Sequence, residues 1–219
     1  MKAKYSIIVP VYNEQESIPL FVDAVTPIMK ELNDEYEVIF VNDGSKDNTL
    51  NVLKNHANKD EHIKYISFAR NFGQQAAIFC GLEHSSGEAV IIMDVDLQDP
   101  VEVIPLMIDK WKEGYEVVHG KRTKRKGETF FKKITSSIYL KFLQTISGLK
   151  IPKNVGEFKL LDRKVVNVIN SMPEHDRYLR GLTSWIGFKQ TEVEFERKER
   201  QAGETKYTLK KLLKLAGNG

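Results

Sequence analysis

The residues best suited to chemistry lie in an acidic stretch near the middle of the chain. Asp94 and Asp96 are two positions apart and Gln98 continues the row, directly after the apolar run 89–93. In an extended segment, alternate side chains point to the same side. Three oxygen-bearing side chains placed in this way predict a site for one hard divalent cation, Mg²⁺ or Mn²⁺, shared with a nucleotide diphosphate.

The next acid along, Asp99, has a different prediction. Pro100 and Glu102 follow it in the positions typical of a first-turn proline and an N3 acid, so Asp99 is predicted to be the N-cap of a helix. It is therefore left out of the predicted metal site.

Two other polar turns follow apolar runs, Asn-Asp43-Gly44-Ser45 and Pro10-Val-Tyr-Asn-Glu. Asp43 could accept hydrogen bonds from a nucleotide ribose or base, while Gly44 allows a sharp turn; helix capping by this turn is the alternative. A dinucleotide site would need Gly-x-Gly-x-x-Gly after the first strand, and Pro-Val-Tyr-Asn-Glu stands there instead. This counts against a dehydrogenase.

The elements that must position these residues alternate between strand and helix. Strands are predicted at 5–11, 36–42, 63–68, 89–95 and 116–120, with helices at about 14–32, 48–57, 74–85 and 100–113. This order predicts an α/β fold with a mostly parallel central sheet flanked by helices, in which the most apolar strands are central. Ligands of such sheets bind beyond the carboxyl ends of the strands. Later in the chain, the sequence predicts an amphipathic stretch at about 128–147, a short apolar run at 158–161 and a polar strand at 191–196.

Composition bounds the setting of this domain. The 219 residues suffice for one large domain, and no apolar run exceeds five residues, against roughly 20 for a membrane-spanning helix. The single cysteine, Cys80, excludes an internal disulfide and suits the cytosol. Residues 1–118 carry 10 Lys+Arg and 20 Asp+Glu, whereas residues 119–219 carry 23 and 10. The net charges of −10 and +13 predict a cation site in the first part and an anionic partner for the second.

Six motifs in order resemble one family. They are the segments 6–14, 42–45, 94–98, 120–122, 154–158 and 200–207. Together they resemble the inverting GT-A glycosyltransferases of family 2, and within it the polyprenyl-phosphate branch, which includes dolichyl-phosphate mannose synthases and bactoprenol glucosyltransferases. The resemblance covers essentially the whole chain. It implies a GT-A catalytic domain at 1–205, with a nucleotide and metal half at 1–120 and an acceptor half at 121–205.

The resemblance also implies roles for individual residues. The nucleotide would be held by Pro10, Tyr12, Glu14, Asp43 and Asp94, and the metal by Asp94, Asp96 and Gln98. The diphosphate or the acceptor phosphate would face Arg122, Lys133, Ser137, Arg200 and Lys206. Cationic side chains suit phosphate oxygens, because arginine offers a fixed fork of donors and lysine a mobile charge.

The implied activity is transfer of a hexose or N-acetylhexosamine from a nucleotide diphosphate sugar, expected to be UDP-linked, to undecaprenyl phosphate. Asp96 and Glu157 are the predicted catalytic residues; Glu157 stands where the family has an aspartate. A lipid phosphate is already an oxyanion at neutral pH, so Glu157 could orient groups rather than deprotonate them. A saccharide acceptor and a non-catalytic nucleotide-sugar-binding module are the alternatives. No nucleic-acid recognition motif accompanies the basic run 121–126.

The last residues predict contact with a membrane surface. Residues 206–219 interleave four lysines with four leucines and contain no acid, which is typical of a basic amphipathic helix on an anionic bilayer. Packing of those leucines on the domain is the alternative. In the resembled family such a segment often precedes transmembrane helices. The expected location is the cytoplasmic face of the cell membrane, and a homo-oligomer is left open.

Overall fold

The apolar runs form the strands of one seven-stranded sheet. A computed structural model describes residues 3–123, 155–174 and 177–198. The strands are β1 (Tyr5–Val11), β2 (Tyr36–Asn42), β3 (Ile63–Ser67), β4 (Ala89–Ile92), β5 (Val117–Arg122), β6 (Val155–Asp162) and β7 (Gln190–Phe195). The helices are α1 (Ser17–Glu31), α2 (Thr49–Ala57), α3 (Gln74–His84), α4 (Ile104–Lys112), α5 (Arg163–Ser171) and α6 (Leu179–Trp185), with a short 3₁₀ turn at Val101–Val103.

The strand order is β3-β2-β1-β4-β6-β5-β7. β1 pairs in parallel with β2 and β4, and β5 pairs in parallel with β7. β6 is antiparallel to both of its neighbours, β4 and β5. The other six strands therefore all run one way, and their carboxyl ends meet the amino end of β6 at one edge of the sheet.

Helices cover both faces of the sheet. Every residue of β1, β2 and β4 is buried, which explains why these strands are largely apolar. Side chains alternate between the faces: Ile7 and Val9 pack with Phe21 in the larger core cluster, and Ile8 packs with Ile78 in a second one. Within the described ranges, no helix combines the length and apolar character needed to span a bilayer.

The predicted fold is confirmed, and the boundaries of β1 and β2 match residue for residue. The prediction of a strand over 89–95 is too long, since β4 ends at Ile92 and the chain then turns. The run predicted at 158–161 is the eight-residue strand β6. The predicted helical segments at 128–147 and 206–219 lie outside the described residues, and so do Lys133, Ser137, Arg200 and Lys206. The division into 1–120, 121–205 and 206–219 stays a prediction.

Candidate active site

The loops that follow β1 and β2 are bound to each other at the edge of the sheet where the carboxyl ends of the six parallel strands meet. The Asn13 backbone N–H donates to Ser45 Oγ at 2.9 Å, and the Lys46 N–H donates to Asn13 Oδ1 at 2.8 Å. Asn13 has a φ of 52°, which asparagine tolerates better than most residues. The Glu14 carboxylate accepts from the Ser17 hydroxyl at 2.6 Å, at the start of α1. Of the other predicted nucleotide residues, Pro10 is buried in β1 and Tyr12 is half-buried just after it.

Asp43, just beyond β2, organises the loop that follows β3. Its Oδ1 accepts from the Phe72 N–H at 2.7 Å, and its Oδ2 accepts from Asn71 Nδ2 at 2.7 Å and the Gly73 N–H at 3.0 Å. The side chain is buried, and both oxygens are engaged within the protein. Asp43 is therefore observed to hold the loop that follows β3. Direct contact between Asp43 and a nucleotide stays a prediction.

Gly44 permits the close approach of those two loops. Its φ is +65°, and a Cβ at this position would lie 2.3 Å from the Arg70 carbonyl carbon. Any other residue would have to displace the Arg70 backbone. Arg70 itself lies over the Phe72 ring, with its guanidinium carbon 3.9 Å from the ring centroid. Phe72 is about half exposed, at 52%. A flat cationic and aromatic surface therefore borders the site.

Asp94 and Asp96 come together through a turn and not through an extended segment. The residues after β4 are not strand, Leu97 has a φ of 55°, and the Gln98 N–H donates to Asp96 Oδ1 at 3.2 Å. The expectation that alternation along a strand aligns the side chains of Asp94, Asp96 and Gln98 is wrong. Aspartate side chains commonly accept a hydrogen bond from the backbone N–H two residues later, and this bond stabilises a turn.

Crowding of negative charge changes the acidity of Asp94. Burial, followed by repulsion from Asp96 and Asp99, raises the pKa of Asp94 to about 7 despite the opposing charge of Arg122. Gln74, the first residue of α3, donates from Nε2 to Asp94 Oδ1 at 2.8 Å. Because Gln74 directly follows the loop held by Asp43, the two predicted nucleotide carboxylates are linked through one short segment.

Asp99 belongs to this charge cluster, and its predicted N-cap role is wrong. Pro100 precedes the 3₁₀ turn and no side chain caps it. Asp99 instead accepts from Arg122 Nε at 3.1 Å and Nη2 at 3.0 Å, a bidentate pair in which both side chains are largely buried. A buried charge needs a partner of opposite charge, and the guanidinium of Arg122, the last residue of β5, is the partner of the Asp99 carboxylate. The guanidinium of Arg122 carries further N–H donors besides these two groups.

Gln98 meets the segment that follows β7. Its Oε1 accepts from Arg197 Nη2 at 2.5 Å, and its carbonyl oxygen accepts from the Lys198 N–H at 3.0 Å. Lys198 also pairs with Glu102 at 2.7 Å. The predicted metal-ligand oxygen of Gln98 is therefore engaged by an arginine, and its coordination of a cation stays a prediction.

Glu157 enters the site from the antiparallel strand. The last register pair of β4 and β6 joins Ile92 to Lys159, and Glu157 lies two residues nearer the amino end of β6. The Glu157 charge is among those that raise the pKa of Asp94. Its Oε2 lies 3.7 Å from Nζ of Lys159. The two predicted catalytic residues, Asp96 and Glu157, thus lie on elements that meet at one place.

The donor set fits a hard divalent cation that is shared with a substrate. Among the described residues, no three His, Cys, Asp or Glu side chains form a group that could hold a metal by themselves. Asp94 and Asp96 provide two carboxylates, while Asp99 is neutralised by Arg122. Mg²⁺ is commonly held by one or two carboxylates, with water and phosphate oxygens completing its shell. The raised pKa of Asp94 marks a place where added positive charge is favourable.

Several residues of this site were missed from the sequence. Asn71 and Gln74 follow the third strand, and Arg197 follows the last one, so the strand-end rule could have found them. Lys159 gave no such signal, because it lies inside a strand and its burial depends on the neighbours of that strand.

Comparison with known proteins places the chain in a family. Residues 6–169 match the model of glycosyl transferase family 2. The chain is 50% identical to an uncharacterised glycosyltransferase of Bacillus subtilis, YkcC, over 99% of this chain and 67% of that protein. It is 44% identical to a prophage bactoprenol glucosyl transferase homologue of Escherichia coli, over 99% of this chain and 71% of that protein.

Solved structures agree with the fold. Glucosyl-3-phosphoglycerate synthase from Mycobacterium tuberculosis, in complex with Mn²⁺, UDP-glucose and phosphoglyceric acid, matches with a TM-score of 0.64 at 18% identity, over 96% of this chain and 74% of that one. A mannosyltransferase from Pyrobaculum calidifontis, in complex with GDP-mannose and Mn²⁺, matches with a TM-score of 0.59 at 19% identity, over 89% and 55%. The fold is that of the GT-A glycosyltransferases, and the chain belongs to glycosyl transferase family 2.

Proposed function

We propose that this glycosyltransferase moves a hexose or N-acetylhexosamine from a UDP sugar to undecaprenyl phosphate with inversion at the anomeric carbon. The observation that carries the proposal is the meeting, at one edge of the sheet, of Asp94 and Asp96 with the loop held by Asp43 and with Glu157. The relatives named bactoprenol glucosyl transferases, at 44% identity, support this acceptor class.

The donor half of the site holds the nucleotide diphosphate. Asp94 and Asp96 would bind Mg²⁺ or Mn²⁺, which when bound neutralises charge on the leaving diphosphate. Arg122, fixed by Asp99, offers its remaining N–H donors to phosphate oxygens. The loops bound together by Asn13 and Asp43 leave little freedom to the backbone that borders the nucleotide. A site fixed before binding favours transfer because few groups must be ordered afterwards.

The acceptor oxygen then replaces the diphosphate. A phosphate oxygen of the lipid attacks the anomeric carbon, the bond from that carbon to the diphosphate oxygen breaks, and the nucleotide diphosphate leaves with the electron pair. A lipid phosphate with a pKa near 6 needs no base at neutral pH. Glu157 would orient the acceptor at this stage. Lys133, Ser137, Arg200 and Lys206 are proposed to bind phosphate oxygens and lie outside the described residues.

A panel of donors tests the proposal. Radiolabelled UDP-glucose, UDP-N-acetylglucosamine and GDP-mannose are each offered with undecaprenyl phosphate and Mg²⁺ or Mn²⁺, and with chelator as a control. Label from a UDP sugar should enter the organic phase only when both cation and lipid phosphate are present. Asp109→Asn on the surface of α4 serves as a control for charge removal and should transfer normally.

Other outcomes contradict the proposal. Transfer to an added oligosaccharide but not to the lipid phosphate would identify a saccharide-building transferase. Donor binding without turnover on either acceptor would identify a nucleotide-sugar-binding module. Full activity in the presence of chelator would contradict the proposed dependence of the enzyme on a divalent cation.

A further inference from the structure

A lysine is buried in the sheet directly behind the candidate site. Lys159 lies in β6, flanked in register by Ile92 of β4 and His119 of β5, and it has no exposed surface. Its neighbours along the same face are members of the second apolar core cluster, such as Leu161. An ammonium group in such surroundings loses its hydration, so it needs an anion close by.

Among the residues that the structure describes, Glu157 is the one acidic group that acts on this lysine. Its Oε2 lies 3.7 Å from Lys159 Nζ, and neither atom has a hydrogen-bond partner among the described residues. The other charged or titratable groups are His119 on β5 and Arg180 on α6, and neither is an anion. His119 Nε2 instead pairs with Gln190 Oε1 at 2.8 Å. Burial lowers the pKa of Lys159 to about 8, and the Glu157 charge opposes that change, so the ammonium form persists at neutral pH.

The position of this pair connects it to the site. Glu157 is two residues nearer the edge than Lys159, where the pairing of β5 with β6 shifts register, and its Oε2 is directed toward the lysine Nζ at 3.7 Å. Oε2 of Glu157 is buried, whereas the side chain as a whole keeps 13% of its exposure. The exposed part of the side chain is therefore made up of its other atoms. One oxygen is thereby buried next to the lysine, whereas the side chain as a whole is not fully enclosed.

We propose that Lys159 is a positioning residue, whose buried ammonium holds the Glu157 side chain in one orientation at the edge of the sheet. The consequence for sugar transfer rests on the proposed function, but the pairing itself does not. Lys159 acts through Glu157 and touches no substrate.

A double-mutant cycle in chemical denaturation tests the pairing. Lys159→Met and Glu157→Gln should each lower the unfolding midpoint, because each leaves one buried charge without a partner. The double variant should recover most of the loss. The matched control is the exposed pair of Lys110 on α4 and Glu113 at the C-cap of that helix, substituted by Met and Gln in the same way, which should show additive effects. Additive losses at Lys159 and Glu157 would overturn the proposal. If Lys159→Met alone does not fold, recovery of Glu157→Gln by the second substitution still decides the matter.

A spectroscopic measurement tests positioning without any turnover. In protein labelled with ¹³C at glutamate carboxyls, the resonance lost in Glu157→Gln identifies that carboxylate. It should move in Lys159→Met, return most of the way in Lys159→Arg, and stay in place in Lys110→Met. An unmoved resonance in Lys159→Met would overturn the proposal. Because donor and acceptor are absent, this result is independent of the proposed function.

Kinetics test the consequence for transfer. Lys159→Met should lower kcat about tenfold or more with little change in the donor KM, and Lys159→Arg should restore part of it. In a Glu157→Gln background, Lys159→Met should cause no further loss. A folded Lys159→Met enzyme with normal kcat would reduce the lysine to a structural role and overturn the inference. Failure of the wild type to use undecaprenyl phosphate would instead refute the proposed function, and the cycle and the resonance would still decide the pairing.

Discussion

At the scale of single residues, the candidate site is a balance of charge. Asp94, Asp96 and Asp99 lie close together, and Arg122 is bound to one of them. The remaining two are the carboxylates that the sequence predicted for a divalent cation. Burial of Asp94, together with its proximity to Asp96 and Asp99, disfavours the charged form of its carboxyl group and raises its pKa.

Substitution of the two predicted catalytic residues should separate their roles. Asp96→Asn should lower kcat by at least about 10³-fold, because it removes charge from the group facing the leaving diphosphate. Glu157→Gln should cost less than about 10²-fold, because the lipid phosphate needs no base. Initial rates of sugar transfer measure both, with Asp109→Asn as the control. Equal losses from the two site substitutions would contradict this ranking.

At the scale of elements, the antiparallel strand β6 decides what lies beside the site. It inserts between β4 and β5 and carries Glu157 and Lys159, whose charged groups lie 3.7 Å apart. The same insertion places His119 of β5 next to Lys159, and His119 is almost completely buried. Burial, together with the Lys159 charge, lowers the pKa of His119 to about 4 although Gln190 opposes the change.

The buried histidine predicts a pH dependence of stability. Its folded pKa of about 4 lies below the ordinary value of 6.5. Its contribution is therefore fully present above pH 6.5 and is lost as the pH falls toward 4, because the unfolded chain binds the proton first. The loss should approach about 3 kcal/mol, at 1.36 kcal/mol for each pKa unit. Chemical denaturation between pH 7 and 4 measures it.

The control for this prediction is His119→Gln, which removes the titrating group. The stability difference between wild type and variant should shrink by most of that amount as the pH falls, because other acid-sensitive groups affect both proteins alike. Glu37 is one such group, since hydrogen bonds from Lys64, Ser6 and Ser86 hold its pKa below the ordinary value. A constant difference across this pH range would show that His119 is accessible to protons in the folded state.

At the scale of the whole molecule, charge is sorted along the chain. The first 118 residues, which contain the residues predicted to bind the nucleotide and the metal, have a net charge of −10, and the remainder carries +13. Part of that positive charge lies at 206–219, outside the described residues. Sorting of this kind favours binding of an anionic surface by the basic part while the acidic part binds a cation.

Vesicle flotation tests whether the basic part binds a membrane. The chain should float with vesicles that contain anionic phospholipid and remain behind with neutral ones, and high salt should release it. Lys210→Gln with Lys214→Gln should weaken binding by roughly fivefold for each charge removed, at about 1 kcal/mol per lysine. Lys54→Gln with Lys59→Gln, in the acidic part, is the matched control. Indifference to the loss of Lys210 and Lys214 would favour packing of this segment on the domain.

The sequence by itself determined the parts that depend on local pattern. Largely apolar runs predicted the strands β1 and β2 to the residue, because a strand covered on both faces buries almost every side chain. The rule that ligands bind beyond strand ends then selected Asp43, Asp94 and Asp96, which the fold brings to one edge. Six ordered motifs were enough to identify the family.

Only the tertiary structure decided which charges meet. Asp99 follows a local pattern for a helix cap, yet Arg122, 23 residues away along the chain, binds it. Lys159 has an ordinary strand position in the sequence, and its burial follows from β4 and β5 closing on either side of β6. Local pattern cannot encode such pairs, because the free energy of a buried charge is set by neighbours that are distant in sequence.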